Sequence, residues 1–214
     1  MQKKVTKPRE RNKDKSKQQL LDAVGRLLRT KGYTALKVND IAARAGLDKK
    51  LIYKYFGGTD QLVDAYIRSQ DFWSNIGSDD IPASIPDGGL ALSRQMLTQQ
   101  FDYVAQHKEL QKILLWGLAE KRRSLKKLAD DREASGEVLF SHITDPFFKE
   151  DATRYRAVMA ILISGIYYLN MYTNINGQTF CGINLTSTEG KREIKDALEN
   201  LMDLVYADRQ NKIL

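Results

Sequence analysis

The chain has 214 residues, one cysteine and a formal net charge of +7. That length buries a sizeable core without covalent staples, and a single cysteine excludes an intrachain disulfide. The longest apolar run, Ala157 to Tyr172, is short for a membrane span and is broken by Ser164, Gly165 and Asn170, so it reads as a buried helix and no membrane partner is expected. The opening MQKKVTKPRE has no apolar segment of the kind a secretory signal needs, and a cytoplasmic, reducing setting is the expectation.

Charge is unevenly spread. Up to Asp60 there are sixteen basic and six acidic residues, a local balance of +10, whereas the rest of the chain balances at −3. Positive charge confined to one end fits a nucleic-acid-binding module joined to a domain with another task.

In chain order, residues 1–15 are basic, polar and aperiodic, and are expected to be a disordered arm. Ser16 followed by Gln19 resembles a capping box, and Leu20, Leu21, Val24, Leu27 and Leu28 then recur at helical spacing until Gly32. A short second helix is predicted over Val38 to Ala45, stopped by Gly46, with Lys37 as a poor N-cap and Asp40 favouring the first turn. A third follows from Lys49 to Phe56, capped by Asp48 and ended by Gly57 and Gly58. A fourth begins at Thr59 and runs to Gln70 or Ile76, carrying Leu62, Val63, Tyr66 and Ile67 on one face. GSDDIPASIPDGG, residues 77–89, is the clearest break in the chain. Beyond it, helices are predicted at about 90–106, 109–120, 122–143, 151–174 and 188–209. No segment alternates with period two, so the fold class is all-α, with a three-helix domain over 16–60 and a larger helical domain over 61–214.

The third helix carries the functional signal. At 100° per residue, Leu51, Ile52, Tyr55 and Phe56 fall on one side, and Lys49, Lys50, Tyr53 and Lys54 on the other. The first set can anchor the helix on its neighbours. The second offers three ammonium groups and a phenol, donors suited to phosphate oxygens and guanine edges. A short helix, a glycine turn and a basic second helix are the parts of a helix-turn-helix, whose second helix enters the major groove.

The stretch VNDIAARAGLDKKLIYKYFGGTDQLVDAYI resembles the N-terminal DNA-binding domain of the TetR family of transcriptional regulators, over about Leu20 to Ile67. The resemblance implies that Asp40, Ile41, Ala42, Ala45 and Gly46 hold the turn. It also implies that Lys49, Lys50, Leu51, Tyr53 and Lys54 face DNA, with Tyr53 and Lys54 at phosphates; Lys37 and Thr59, flanking the motif, complete the candidate DNA-binding set. Lys50 stands where many members have glycine, and Leu51 where many have a small hydroxyl residue, which leaves base preference open. Thr59 replaces a frequent lysine, leaving that phosphate contact to a helix N-terminus.

The resemblance further implies a homodimer bound to a double-stranded operator, most often a repressor, whose second domain binds a small molecule. Ala157, Ala160, Ile161, Ser164, Gly165 and Tyr168 form a small-residue stripe, and Ile194, Ala197, Leu198, Leu201, Leu204 and Val205 an apolar one; either stripe would serve an intersubunit bundle or the monomer's own core. Met96, Phe101, Tyr103, Trp116, Met159, Tyr167 and Tyr172 are the candidate pocket residues, for an apolar or aromatic effector; plain core is the competing reading of each. A constitutive DNA-binding protein that uses its second domain for dimerisation or protein contacts is the alternative. No enzyme activity, cofactor or metal is expected: His107 and His142 are the only histidines, neither is in a metal-spaced cluster, and Cys181 reads as an ordinary thiol.

Overall fold

A computed structural model describes residues 8–70 and 85–213, with side chains over 12–70 and 85–211. It contains α1 (Pro8–Lys31), α2 (Val38–Ala45), α3 (Lys50–Phe56), α4 (Thr59–Ser69), α5 (Leu90–Gln106), α6 (Lys108–Ala119), α7 (Arg123–Leu139), α8 (Asp145–Phe148), α9 (Ala152–Tyr172) and α10 (Thr188–Ile213). A two-residue antiparallel pair, β1 (Thr179–Phe180) and β2 (Ile183–Asn184), links α9 to α10. The all-α expectation therefore holds, with this small hairpin as the one addition among the described residues.

The chain divides into two compact units. The first comprises the described residues up to 70 together with Trp116–Leu128; the second comprises the described residues from 85 to 115 and from Ala129 onward. The expected single boundary near residue 60 is thus replaced by a chain that returns to the first unit at the end of α6 and the start of α7.

In the first unit α1 packs on α2 and α4, and α3 packs on α4. Leu20, Val24 and Leu28 of α1, Ile41 of α2, Ile52 of α3 and Leu62 of α4 are all buried. The period-3.6 spacing of these residues puts them on one face of each helix, and fully burying a side chain of this size contributes about 1.5–3 kcal/mol. α1 begins at Pro8, not at Ser16, so the expected disordered arm is helical over its second half; residues 1–7 lie outside the described residues. Proline suits the first helical position, and the Lys, Arg, Glu and Gln that follow are good helix formers. Ser16 accordingly sits inside the helix, its hydroxyl donating to the Asn12 carbonyl (2.9 Å) rather than capping. At Gly25 a β-carbon would meet the Tyr66 hydroxyl at 2.6 Å, so the bare α-carbon is what lets α4 lie close on α1.

In the second unit α5 packs on both α9 and α10. Its core holds Leu97, Phe101, Phe148, Tyr155, Met159 and Tyr206. Phe148 stacks on Tyr155 (4.2 Å between centroids), and Tyr206 meets Tyr155 edge-on (5.9 Å). Asp87 starts α5 by accepting from the backbone N–H groups of Gly89 (3.0 Å) and Ala91 (2.7 Å). Those donors hold its carboxyl below the usual carboxylate range. The predicted helix over 122–143 ends instead at Leu139, and Phe140–Thr144 form a π-helical turn leading into α8.

Three cations of the second unit hold its elements together. Arg94 of α5 pairs with Asp203 of α10. Arg156 joins Glu137 to Asp145. Arg209, whose side chain is 5% exposed, reaches Glu150 (2.6 Å), Asp151 (3.3 Å) and the Phe147 carbonyl (3.3 Å).

Candidate nucleic-acid interface and ligand cavity

The turn between α2 and α3 is built on backbone geometry. Gly46 is left-handed (φ 67°), its N–H donates to Ala43 (3.2 Å), and the Leu47 N–H returns to Ala42 (3.1 Å). This closes the end of α2 in a conformation that a β-carbon disfavours by about 1–2 kcal/mol. Asp48 then caps α3, its Oδ1 accepting from the Lys50 N–H (2.8 Å). Gly57, also left-handed, ends it.

α3 divides as its periodicity predicts. Ile52 is fully buried and Leu51, Tyr55 and Phe56 are half-buried, whereas Lys49, Lys50 and Lys54 are exposed and Tyr53 is 55% exposed. Among the described residues none of these three lysines has a carboxylate partner, and neither does the exposed Lys37. The Lys54 ammonium lies 6.0 Å from the Tyr55 ring centroid. Leu51 is thus nearer the anchoring side than the presented face. Thr59 is half-buried in the first turn of α4, where Asp60 is ion-paired with Arg122 (2.7 Å).

Arg122 belongs to a cluster that the sequence alone does not reveal. Its guanidinium also approaches Asp64 (3.7 Å) and lies over the Trp116 ring (5.3 Å). Trp116 in turn stacks on Tyr33 (5.0 Å, planes within 7°) and donates from Nε1 to Glu120 (2.8 Å). Trp116 therefore packs within the DNA-binding unit and is not a pocket residue.

The second unit encloses a cavity of about 280 Å³ between α5, α7, the π-helical turn and α9. Of the seven pocket candidates, Met96, Met159 and Tyr167 line it. Phe101 is buried in the core, Tyr103 stacks on His107 (3.8 Å), and Tyr172 packs against Phe180 (5.1 Å). The lining that sequence reasoning missed includes Ser93, Gln100, Arg132, Phe140, Ile143 and Tyr155. Phe140, Ile143 and Thr144 reach it from the π-helical turn, for which the sequence offers no signal. Ser93 and Tyr155 share a hydrogen bond (2.8 Å), and Gln100, 1% exposed, donates from Nε2 to the Tyr167 hydroxyl (2.7 Å). Burial pushes the Tyr155 hydroxyl up from its ordinary value.

The two stripes are divided between surface and core. Ala157, Ala160, Ile161, Ser164 and Tyr168 of α9 are exposed and Gly165 is half-buried; Ile161 is 70% exposed. On α10, Ala197, Leu201 and Leu204 are exposed, Ile194 and Val205 are half-buried against the core, and Leu198 is buried in it. Cys181, at the hairpin tip with φ 51°, is exposed.

A short helix, a glycine turn and a second helix that presents unpaired cations define a helix-turn-helix DNA-binding module. Residues 20–66 match the family profile described as bacterial regulatory proteins, tetR family. Over these residues the chain is similar to the DNA-binding domain of that family. No curated protein matches significantly. Among solved structures, the chain is similar to a candidate fatty acid metabolism regulator from Clostridium perfringens, at 15% identity and TM-score 0.60 over 86% of this chain and 96% of that one. It is also similar to a TetR-family transcriptional regulator from Streptomyces coelicolor, at 18% identity and TM-score 0.59 over 92% and 89%. At such identities the likeness concerns the fold. Among the described residues no helix is long and apolar enough to cross a membrane.

Proposed function

We propose that the protein is a homodimeric, sequence-specific repressor released from its operator by a small apolar molecule held in the second unit's cavity. The observation that carries the DNA-binding part is the face of Lys49, Lys50, Tyr53 and Lys54, exposed and, among the described residues, without carboxylate partners, on a helix anchored by Ile52. Lysines on such a face gain phosphate partners and release counterions on binding. Lys37 and the N-terminus of α4 at Thr59 complete the proposed DNA-binding set.

The exposed apolar residues Ile161, Tyr168, Leu201 and Leu204 support dimerisation, since side chains of that size gain by leaving water. Effector release follows if the ligand prefers a conformation whose reading helices mismatch successive major grooves. Arg122, Trp116 and Tyr33 offer a mechanical route, because the last turns of α6 are fastened to the turn after α1 through Trp116, and Arg122 beyond them is fastened to α4.

The test is fluorescence anisotropy with the intergenic DNA upstream of the gene and a scrambled duplex, repeated with a compound panel, alongside sedimentation. Specific binding by a dimer, reversed by an apolar compound, is expected. A complex insensitive to every compound would favour constitutive binding, and a monomer at micromolar concentration would remove the dimer.

A further inference from the structure

Among the polar residues that line the second unit's cavity, Ser93 and Tyr155 form a hydroxyl pair whose hydrogen atoms can be counted. The Ser93, Tyr155 and Tyr206 hydroxyls lie together; one hydrogen spans Ser93 and Tyr155 (2.8 Å), and that of Tyr206 goes to the Gly88 carbonyl (3.0 Å). Three hydroxyls carry three hydrogens, so one remains on the Ser93–Tyr155 pair, both members of which line the cavity. Within the fold the Tyr206 oxygen can accept it, and a ligand carbonyl, the stronger acceptor, competes for it. Among the described residues of the lining the charged ones are Arg132 and Glu133, adjacent in sequence and summing to zero. The rest of the wall is dominated by Leu, Ile, Met and Phe.

We infer that the cavity takes an uncharged ligand with an apolar body and one hydrogen-bond acceptor, such as an ester or ketone oxygen, which receives the spare hydrogen of the Ser93–Tyr155 pair. A ligand cation or anion would enter a wall with no net countercharge and lose its hydration there, whereas a carbonyl oxygen exchanges a water for a hydroxyl donor at little cost. The inference rests on reading this cavity as the effector site, and names the chemistry that the site selects.

Four probes with one body and different heads test it on the full chain by isothermal calorimetry at neutral pH: methyl phenylbutanoate, phenylbutanoate, phenylbutylamine and butylbenzene. The ester should bind about tenfold or more tightly than the carboxylate and the amine. Tyr155→Phe and Ser93→Ala should each weaken the ester by about threefold to tenfold while leaving butylbenzene unchanged, which also reports an intact cavity. Preference for phenylbutanoate would overturn the inference and assign the selectivity to Arg132. Equal ester affinity in both variants and wild type, or no binding by any of the four probes, would overturn it as well. Ester binding with the expected variant effects upholds the cavity chemistry even if operator affinity does not respond; that outcome would defeat only the effector reading.

Discussion

The lysines of the α3 face and four cations of the second unit are spent in opposite ways. Arg94, Arg156, Lys195 and Arg209 each have a carboxylate partner within the fold, while Lys49, Lys50 and Lys54 have none among the described residues. A paired cation holds elements together, and its charge is cancelled where it stands. An unpaired row on a rigid helix leaves its potential in solution, where a polyanion can use it. Arg122 is a paired cation close to the motif, cancelling the charge of Asp60 at the start of α4.

Substitutions on the paired side should therefore affect stability first. Arg209→Ala is expected to have the largest effect, about 2–3 kcal/mol, because it removes a buried guanidinium that satisfies the Phe147 carbonyl and Asp151. Thermal unfolding followed by circular dichroism reads it, and a loss under about 0.5 kcal/mol, the range of an ordinary surface change, would show the pair to be idle. Gly25→Ala sets helix propensity, worth about 1 kcal/mol in its favour, against collision with the Tyr66 ring. Overpacking costs about 1–3 kcal/mol, so a net loss of about 1 kcal/mol is expected. A stabilised variant would mean that α4 moves away freely.

Asp87→Ala should remove about 1 kcal/mol by uncapping α5. Its pH dependence has a definite sign. The folded carboxyl sits below its ordinary value of 3.8, so its contribution is complete above that value and fades as pH falls through the lowered one. Urea titrations of wild type and Asp87→Ala should differ at pH 6, and the difference should shrink as pH falls below 3.8; a constant difference would break the assignment. Smallest in free energy is Lys50→Ala, expected to alter base preference several-fold, whereas Lys54→Ala weakens operator and random duplex alike. Competition with single-base operator variants separates them, and equal losses on all sequences would make Lys50 a phosphate contact.

Most of the helical architecture was legible because each amphipathic helix repeats its apolar residues at a fixed angle. Val38–Ala45 and Leu90–Gln106 fall as predicted, as does the partition of α3. Sequence failed where local rules compete. The helix formers before Ser16 outweighed an apparent capping box, so α1 starts at Pro8. The cavity was legible only in Met96, Met159 and Tyr167, because its wall is assembled from distant segments and a π-helical turn. Trp116 has the right chemistry for a pocket, but its neighbours, Tyr33 and Arg122, are set by tertiary packing. Leu198 shares a stripe with Leu201, yet a modest rotation about α10 buries the one and exposes the other.

The central claim is that the unpaired lysines of α3 belong to DNA. Its most direct test is the salt dependence of operator binding by wild type and by the triple variant Lys49→Ala, Lys50→Ala, Lys54→Ala, with circular dichroism to verify that both are folded. Every lysine removed from a phosphate should reduce the slope of log K against log salt by about 0.9, so a markedly flatter slope and weaker binding are predicted. A folded triple variant that binds the operator with the wild-type slope would contradict the account.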